Sequence, residues 1–413
     1  MGVARQVDKP RACEGRAEGQ VEAVPRTRAG LRGPVGRLAY YTRARERFPR
    51  RGFRVAICTY VERTAAIHDG LQLRPAGAED DEAIERLGAA AADGGAIGFR
   101  IHTHVRTSGT ALTHFSSVVA EDIRNGELVG SARLTLGRFR YEGAERPYAL
   151  LGALVVHPSH RRQGVARALA RWRIERAEQL AGPNVVVVAD IQRGNVGSMA
   201  AARRWATAFS MPAISVPVPM LSHPPRAPKG VELRAVSGED LPEVAAGVTE
   251  ATQEYNFARI WSPKTLEQWL QWVPAGEPVN HYRVATSPSG AILAGLAVRE
   301  EGLLRTMEVV RMPAAIRLAN SVLRVVPKDR MLRNLSVEHF WFLPGQREAA
   351  TALWQDTRWS FRERASNMLI TLDPRSPVLP VLDVKAWTPK TSITTAVRAD
   401  LPPREDRLVA PLE

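Results

Sequence analysis

The sequence predicts an α/β (α+β) protein with two folded domains. At 413 residues, the chain is longer than a single hydrophobic core usually organises. Residues 148–198 hold two apolar runs, typical of buried strands, separated by a basic, glycine-containing turn and a helix-patterned segment. From Val231 onward, the sequence VELRAV and the acidic segment after it resemble residues 71–92. These observations predict two similar units in which strands alternate with helices.

The positive charge of the chain does not indicate a nucleic-acid-binding protein. The formal net charge is +14, but residues 1–60 contain 14 Lys and Arg against 5 Asp and Glu, so +9 of it lies there. Only six of the 57 basic residues are lysine, and this arginine bias with abundant alanine indicates a GC-rich coding sequence rather than a phosphate-binding face. We therefore expect no nucleic-acid partner; the opposing hypothesis predicts that deleting residues 1–60 abolishes such binding.

Composition also bounds the location of the protein. The apolar runs are far shorter than the roughly 20 residues that a membrane-spanning helix needs, so we predict no transmembrane segment and no membrane partner. Both cysteines, Cys13 and Cys58, lie in the N-terminal segment. The rest of the chain therefore has no cysteine nucleophile, cysteine metal site or disulfide framework, and we expect a cytoplasmic location.

The chain divides into five predicted parts. Residues 1–70 are rich in Arg, Gly and Pro without periodicity, which indicates a disordered or mis-annotated N-terminal extension. A first domain is predicted at 71–221, a proline-containing linker at 222–230, a second domain at 231–400 and a C-terminal tail at 401–413.

Within the first domain, the pattern predicts three strands and a helix before the central stretch at 148–198. The predicted elements are a strand at 71–75, a helix at 78–92, strands at 114–122 and 128–136 joined by a hairpin turn at Asn125-Gly126, and an undecided segment at 99–112. After Asn195 a short helix is predicted to extend to about Phe209, followed by a strand at 213–220.

The second domain is predicted to repeat this alternation of strands and helices, but it lacks the basic turn. Strands are predicted at 282–286, 291–299, 335–342, 367–372 and 392–398, with helices at 313–326 and 346–365. Where the first domain has HPSHRRQGVA (157–166), the second has FLPGQREA (342–349). We therefore expect an anion site in the first domain only.

The turn at 161–166 has the sequence R-x-x-G-x-A, which is a weak motif alone. RTSGTA at 106–111 also fits it, but no buried strand precedes that segment and no clear helix follows. At 161–166 a strand ends at Val156, and the following helix carries an apolar face of Val165, Leu169, Trp172 and Leu180. Unpaired backbone N–H groups at a helix start bind a diphosphate, and Gly164 removes the Cβ that would block its approach.

These residues resemble the GNAT family of acyl-CoA-dependent N-acetyltransferases. The likeness rests on LVVHPSHRRQGVARAL (154–169) and on Asn195 with Ser198, and it covers about residues 71–220. It implies a mixed, largely antiparallel central sheet flanked by helices, followed here by a degenerate second copy. It also implies acetyl-CoA as co-substrate, with pantetheine on a strand edge, pyrophosphate on the turn and further contacts from the Asn segment. The implied cofactor residues are Leu154, Val155, Val156, Arg161, Arg162, Gln163, Gly164, Val165, Ala166, Asn195 and Ser198.

The two-domain layout resembles the plant Hookless-type acetyltransferases, and similar tandem layouts occur in actinobacterial GNAT enzymes. The resemblance therefore implies transfer of an acetyl group to an amine. The alternative is a protein that binds acyl-CoA as a sensor or scaffold without catalysis.

This sequence departs from the family at the catalytic positions. Many members place a Tyr seven residues after the cofactor Asn, where this chain has Ala202, and others place a Glu near the position of Leu150. The catalytic residues are therefore unknown from sequence, with Tyr148 as a weak candidate. His157, Glu142 and Glu145 are further candidates, but an interface tyrosine, a surface turn histidine and solvated loop charges are the simpler interpretations.

Other features carry less weight. His102, His104 and His114 have no acid or cysteine at ligand spacing, so we expect no metal. The basic helix at 313–326 is more simply a packing helix than a membrane contact. The second domain is expected to shape the acceptor site or a homodimer interface.

Overall fold

The computed structural model describes residues 65–68, 70–91, 98–104, 113–226, 228–323, 326–386 and 388–412. Most of the predicted N-terminal extension lies outside the described residues, as do Cys13, Cys58 and the motif at 106–111. Residues 65–68, which the prediction placed in that extension, form a strand.

Nineteen strands and eight helices lie in the described residues. The first half contains β1 (Ala65–His68), β2 (Leu71–Pro75), α1 (Asp81–Ala91), β3 (Gly98–Thr103), β4 (His114–Asp122), β5 (Glu127–Tyr141), β6 (Ala144–Val156), α2 (Val165–Ala181), β7 (Val186–Gln192), α3 (Val196–Ala202), β8 (Ala208–Phe209) and β9 (Ala213–Pro219). The second half contains β10 (Glu232–Ala235), α4 (Leu241–Ala251), β11 (Tyr255–Asn256), α5 (Pro263–Leu270), β12 (Asn280–Thr286), β13 (Ile292–Glu300), α6 (Glu301–Leu304), β14 (Arg305–Arg311), α7 (Ala314–Leu323), β15 (Met331–Leu332), β16 (Asn334–Phe342), α8 (Arg347–Ser360), β17 (Asn367–Leu372), β18 (Thr391–Arg398) and β19 (Leu408–Val409).

One 14-stranded sheet joins both halves. Its order is β1-β2-β4-β5-β6-β7-β18-β9-β17-β16-β13-β12-β10, with β8 pairing to β18. Neighbours along this path are antiparallel except for β6–β7 and β16–β17, which are parallel. The predicted mixed, largely antiparallel sheet flanked by helices is therefore confirmed.

The two halves exchange strands at the middle of this sheet. β18 follows β17 in sequence but lies between β7 and β9, while β9 lies between β18 and β17. Each half therefore contributes a strand that lies between strands of the other half. The domain limits at 71–221 and 231–400 stay a prediction.

The same ion pair marks the start of each half. Arg74 donates two hydrogen bonds to Asp80, of 2.7 and 2.8 Å, and Arg234 does the same to Asp240, at 2.6 and 2.8 Å. Each aspartate also accepts from a backbone N–H three residues before it. Hydrogen bonds from the arginine lower the pKa of both carboxyl groups. This shared spacing supports the repeat inferred from sequence.

Some elements differ from the sequence-based expectation. The helix after Asn195 ends at Ala202 rather than near Phe209, because residues 208–209 pair with β18. The undecided segment contains β3, which pairs with β14 of the second half in a separate three-stranded sheet. Sequence patterns missed this sheet because its strands pair across some 200 residues. Among the described helices, none is long and apolar enough to cross a bilayer.

Helix α2 packs on β5 and β6, and β6 begins the central stretch. Val165 and Leu169 pack with residues of β2, β4 and β5, while Ile174 and Ala177 pack with Leu151 and its neighbours on β7. Apolar burial along the face of α2 that packs on the sheet therefore fixes the start of α2 relative to the end of β6.

Candidate functional site

Strands β6 and β7 pair over only three residues, in the middle of β6 and at the start of β7. Residues 148–150 pair with residues 186–188, and no later residue of β6 pairs with β7 in the described strands. On its other side, β6 stays paired with β5 as far as Val156. Residues 151–156 therefore have a strand partner on one edge only, and we call the gap along the unpaired edge, where β6 and β7 separate, the cleft.

A β-bulge interrupts β6 within this edge. Ser131 pairs with Val155 and Arg133 pairs with Gly152, so two residues of β6 face one residue of β5. Ala153 in the bulge has a φ of 48°, in the left-handed region that non-glycine residues rarely adopt. Such a backbone turns amide groups out of the regular ladder. A strained bulge beside an open strand edge is typical of a functional site.

The residues predicted to pair with pantetheine follow this bulge. Leu154, Val155 and Val156 are half-buried, and the side chains of Leu154 and Val156 pack against the core beneath α2. The side chains of Leu154 and Val156 are thus used in packing. The backbone of the open edge remains the part that can meet a ligand.

A compact turn links the end of β6 to α2. His157 begins a 3-10 turn at Pro158–His160, and residues 161–164 complete the connection. Gln163 Nε2 donates to Ser159 O at 2.9 Å, and Arg161 Nε donates to Val156 O at 3.4 Å. These bonds hold the turn against the end of the strand.

The backbone amides of the turn are available as donors. Within the described residues, the N–H groups of residues 162–166 have no hydrogen-bond acceptor. They lie at the amino-terminal end of α2, where the helix dipole also favours an anion. The turn therefore has the donors and the field of a phosphate site.

Two glycines make this arrangement sterically possible, for different reasons. Gly164, directly before α2, has a φ of 86°, and a Cβ there would meet nothing within 4 Å. Glycine suits this position because its positive φ strains other residues and because a side chain would occupy space that a ligand would use. Gly130 on β5 instead lies against the first turn of α2, where a Cβ would be 2.8 Å from Val165 Cγ1.

Asn195 begins α3 just after β7. Its side-chain Oδ1 accepts from Ser198 N at 3.0 Å, so the two predicted residues form one helix cap. The side chain of Asn195 is exposed, and its Nδ2 has no protein partner in the described part of the chain. The cap leaves an amide donor available to a ligand.

Parallel pairing brings the predicted cofactor residues together. Because β6 and β7 run in the same direction, the turn at 161–166 and the cap at Asn195 follow the same edge of the sheet. The cleft between the strands opens towards that edge. The turn at 161–166 and Asn195 therefore follow the ends of two strands that run in the same direction.

Sequence reasoning missed Arg173, which lies on the buried face of α2. Its side chain is 1% exposed and donates to three carbonyl oxygens, those of Leu169, Arg133 and Gly152, each at 3.1 Å. Burial lowers the pKa of Arg173 to about 9, so it stays protonated at neutral pH. The available signal was its spacing: four residues after Leu169, it falls on the apolar stripe.

The candidate proton-transfer groups are all engaged in structural contacts. Tyr148 is 2% exposed, with its ring 4.9 Å from that of Phe139. Glu142 accepts from Asn256 Nδ2 at 2.6 Å, Glu145 pairs with Arg138, and His157 Nδ1 lies 2.6 Å from Ser159 Oγ. These contacts support packing and turn roles for the four candidates.

The positions at which many GNAT enzymes hold catalytic groups are core positions here. Ala202 is 2% exposed and packs with Ile191 and Ala396, and Leu150 is 6% exposed. Neither side chain can donate or accept a proton.

The carboxyl-terminal segment returns to the first half of the chain, which the sequence did not predict. β19 pairs with β11, and Leu412 packs beside the cluster that contains Tyr148. Asp190 on β7 accepts from Leu412 N at 3.0 Å and from Thr395 Oγ1 at 2.5 Å. The segment thus lies next to the strand that forms one wall of the cleft.

Two of the three clustered histidines contact side chains of β14. His102 Nε2 lies 3.0 Å from Glu308 Oε2, and His104 Nε2 lies 3.0 Å from Thr306 Oγ1. Across the described residues, no group of three or more His, Cys, Asp or Glu side chains is arranged to hold a metal.

Comparisons with known proteins agree with this geometry. Residues 97–206 match the model of the acetyltransferase (GNAT) family, a range that contains the bulge, the turn and Asn195. This match identifies a GNAT-family domain in that part of the chain. Among curated proteins, none matches the sequence.

Two groups of solved structures share the fold over most of the chain. N-myristoyltransferase of Saccharomyces cerevisiae with bound myristoyl-CoA has a TM-score of 0.55 and 12% identity, over 82% of this chain and 85% of that chain. A tandem GNAT protein from the clavulanic acid biosynthesis pathway has a TM-score of 0.50 and 16% identity, over 79% and 98%. At these identities the likeness shows the fold alone. The chain has the GNAT fold, in a tandem arrangement.

Proposed function

We propose that this protein transfers an acetyl group from acetyl-CoA to an amine. The observation that carries the proposal is the open, bulged edge of β6 leading directly into the turn before α2. An extended pantetheine chain can pair with such an edge as an added strand does. The unpaired amides at the start of α2 then lie where the pyrophosphate would follow.

Each part of acetyl-CoA is assigned a set of residues. The backbone of Leu154, Val155 and Val156 pairs with pantetheine. The turn from Arg161 through Arg162, Gln163, Gly164 and Val165 to Ala166 holds the pyrophosphate. Asn195, whose Oδ1 accepts from Ser198 N, donates its side-chain amide to the cofactor from the β7 side of the cleft.

The packing beneath the cleft favours a short acyl group. Leu151, Val187 and Ala189 are each at most 8% exposed and pack with Ile174 of α2 in one cluster. The space below the point where β6 and β7 diverge is therefore filled by side chains. A long acyl chain, such as that bound by the myristoyltransferase of similar fold, would have to displace this cluster at a cost of several kcal/mol.

The reaction requires a neutral amine and a donor for the thioester oxygen. A free alkylamine has a pKa of about 10.4, so it must lose a proton before attack. A backbone N–H of the bulged edge can stabilise the oxyanion of the tetrahedral intermediate. Because Ala202 and Leu150 replace the usual catalytic groups, we assign the proton transfers to solvent or to the substrate itself.

The second half is proposed to bind no cofactor. Eight residues separate β6 from α2, but only four separate β16 from α8, and the basic residues of the turn are missing. The second half would instead shape the acceptor site or a dimer interface. The Hookless-type likeness and the cytoplasmic location remain predictions.

Acetyl-CoA turnover with a panel of amines tests the proposal. Free thiol should be released in the presence of at least one small amine, amino acid or peptide amino terminus, and its rate should saturate with acetyl-CoA. Binding of acetyl-CoA without thiol release from any acceptor would favour the sensor hypothesis. Failure to bind acetyl-CoA would contradict both.

A further inference from the structure

Arg173 is an unusual residue for the interior of a protein. A fully buried arginine is rare unless it is paired, because removing the charge from water is costly. No carboxylate lies within ion-pair distance of Arg173 in the described part of the chain. Its charge is instead compensated by the carbonyl oxygens of Leu169, Arg133 and Gly152, each 3.1 Å from a guanidinium nitrogen.

Two of these carbonyls mark the position of the β-bulge. Arg133 and Gly152 face each other across β5 and β6, at the last pair before the register shifts. The same guanidinium nitrogen, Nη1, donates to both. A bulge disrupts the ladder and leaves backbone groups without their regular partners. Arg173 supplies a donor where the ladder loses one.

The bond to Gly152 fixes the orientation of one particular peptide group. Gly152 C=O and Ala153 N–H belong to the same peptide unit, and none of the described peptide bonds is cis. In a trans unit these groups point in opposite directions, so Ala153 N–H is directed away from the guanidinium. A cation on the carbonyl also polarises the peptide and makes its N–H a stronger donor.

We propose that Arg173 is a positioning residue that holds the Gly152–Ala153 peptide in its bulged orientation and thereby shapes the acyl-CoA edge of β6. This role rests on the proposed function, because it assigns Arg173 to the edge that pairs with pantetheine. Arg173 acts through the backbone and does not touch the ligand. A neutral side chain would let the peptide return to the regular ladder, since Ala153 has a strained φ of 48°.

The test measures the affinity of full-length variants for two ligands by calorimetry. Acetyl-CoA contacts both the turn and the edge of β6, whereas adenosine 3′,5′-bisphosphate lacks pantetheine and reaches only the turn. Arg173→Met, which cannot donate, should raise the Kd for acetyl-CoA about tenfold or more and leave that for the bisphosphate within about threefold. Arg173→Lys, which retains a charged donor, should restore most of the affinity. Arg171→Met is the matched control, because Arg171 is exposed on the same helix and should have no effect.

Each outcome bears on the role of Arg173. Unchanged acetyl-CoA affinity in Arg173→Met would overturn it, and so would an equal loss for both ligands, which indicates general damage to the site. If Arg173→Met does not fold, Arg173→Gln takes its place. Gln keeps an amide donor but lacks the charge, so it too should raise the Kd for acetyl-CoA about tenfold or more and leave that for the bisphosphate within about threefold. Wild-type protein that binds no acetyl-CoA would overturn the proposed function together with this role.

In the wild type, acetyl-CoA should also shift the Ala153 amide resonance in the NMR spectrum. An Ala153 amide that does not respond to saturating acetyl-CoA would contradict the orientation inferred for this peptide.

Discussion

Gly130 of β5 lies directly beneath Val165, the first residue of α2, so closely that a Cβ on Gly130 would be 2.8 Å from Val165 Cγ1. Leu169 Cδ1 would be 3.1 Å away. The missing side chain lets the first turn of the helix rest on the sheet. The amides that would bind pyrophosphate are therefore set in place by a strand residue some 35 positions earlier in the chain.

Replacing Gly130 by valine should move the start of α2 and weaken acetyl-CoA binding. The added side chain overpacks a buried position, which typically costs 1–3 kcal/mol of unfolding free energy. We expect both a lower midpoint in urea and a higher Kd for acetyl-CoA. Gly88→Ala is the control, since a Cβ at Gly88 meets nothing within 4 Å and should be neutral or slightly stabilising. A Gly130→Val protein with wild-type affinity would contradict the link between this contact and the turn.

Substitutions of Asn195 should separate its two proposed roles. Asn195→Asp keeps the oxygen that caps α3 at Ser198 N but removes the amide donor, so stability should hold while acetyl-CoA affinity falls about tenfold. Asn195→Ala should lose both, with about 1 kcal/mol less unfolding free energy. Thermal unfolding and calorimetry report the two effects. Full affinity in Asn195→Asp would remove this residue from the proposed cofactor site.

Asp190 should anchor the carboxyl-terminal segment. Its carboxylate accepts from Leu412 N and from Thr395 Oγ1, so Asp190→Ala leaves both donors without this acceptor, at a cost of about 1–3 kcal/mol. Hydrogen exchange should rise at residues 408–412. Thr395→Val, which removes only the hydroxyl, should leave that exchange close to the wild-type rate. Equal protection in all three proteins would show that the segment is held by other contacts.

His339 should make the second half sensitive to acid. Its Nε2 accepts from Trp261 Nε1 at 2.7 Å, and burial, with a smaller effect of the Arg259 charge, lowers the pKa of His339 to about 3. The unfolded chain takes up this proton near its ordinary pKa of about 6.5, so stability is full above that pH and falls as pH decreases towards 3.

Between pH 6.5 and 5.5, this histidine should cost about 1 kcal/mol of unfolding free energy, measured by urea titration at each pH. His339→Gln retains an acceptor for Trp261 and does not titrate, so its stability should depend less on pH. An identical pH dependence in wild type and variant would exclude His339 as the cause.

The predictable part of the molecule was encoded locally. The strand at 148–156, the turn and α2 are neighbours in sequence. An apolar run indicates the strand, a glycine indicates the turn, and an apolar stripe at helical spacing indicates the helix. The repeat was visible because VELRAV and the acidic segment after it resemble residues 71–92, and the structure repeats the Arg74–Asp80 ion pair as Arg234–Asp240. Local signals thus defined the fold class and the proposed cofactor residues, whose binding role stays a prediction.

What escaped prediction depends on contacts between distant segments. The position of β18 between β7 and β9, and the return of Leu412 to Asp190, pair residues some 200 positions apart. Arg173 was missed for a different reason: hydrophobic patterning assigns arginine to the solvent face, and only the three carbonyls around it explain its burial.

Two glycines at opposite ends of α2 allow the most direct test of the central claim, that acetyl-CoA binds at the turn before this helix. Gly164 and Gly182 have φ values of 86° and 88°, and a Cβ at either meets nothing within 4 Å. Valine should cost about 1–2 kcal/mol of backbone strain at Gly164, which is left-handed helical, and at least as much at Gly182, whose ψ of 167° lies in a region essentially confined to glycine. By calorimetry, Gly164→Val should bind acetyl-CoA at least about tenfold more weakly than wild type, whereas Gly182→Val should bind it normally. Equal affinity in the two variants would contradict the assignment of this turn as the cofactor site.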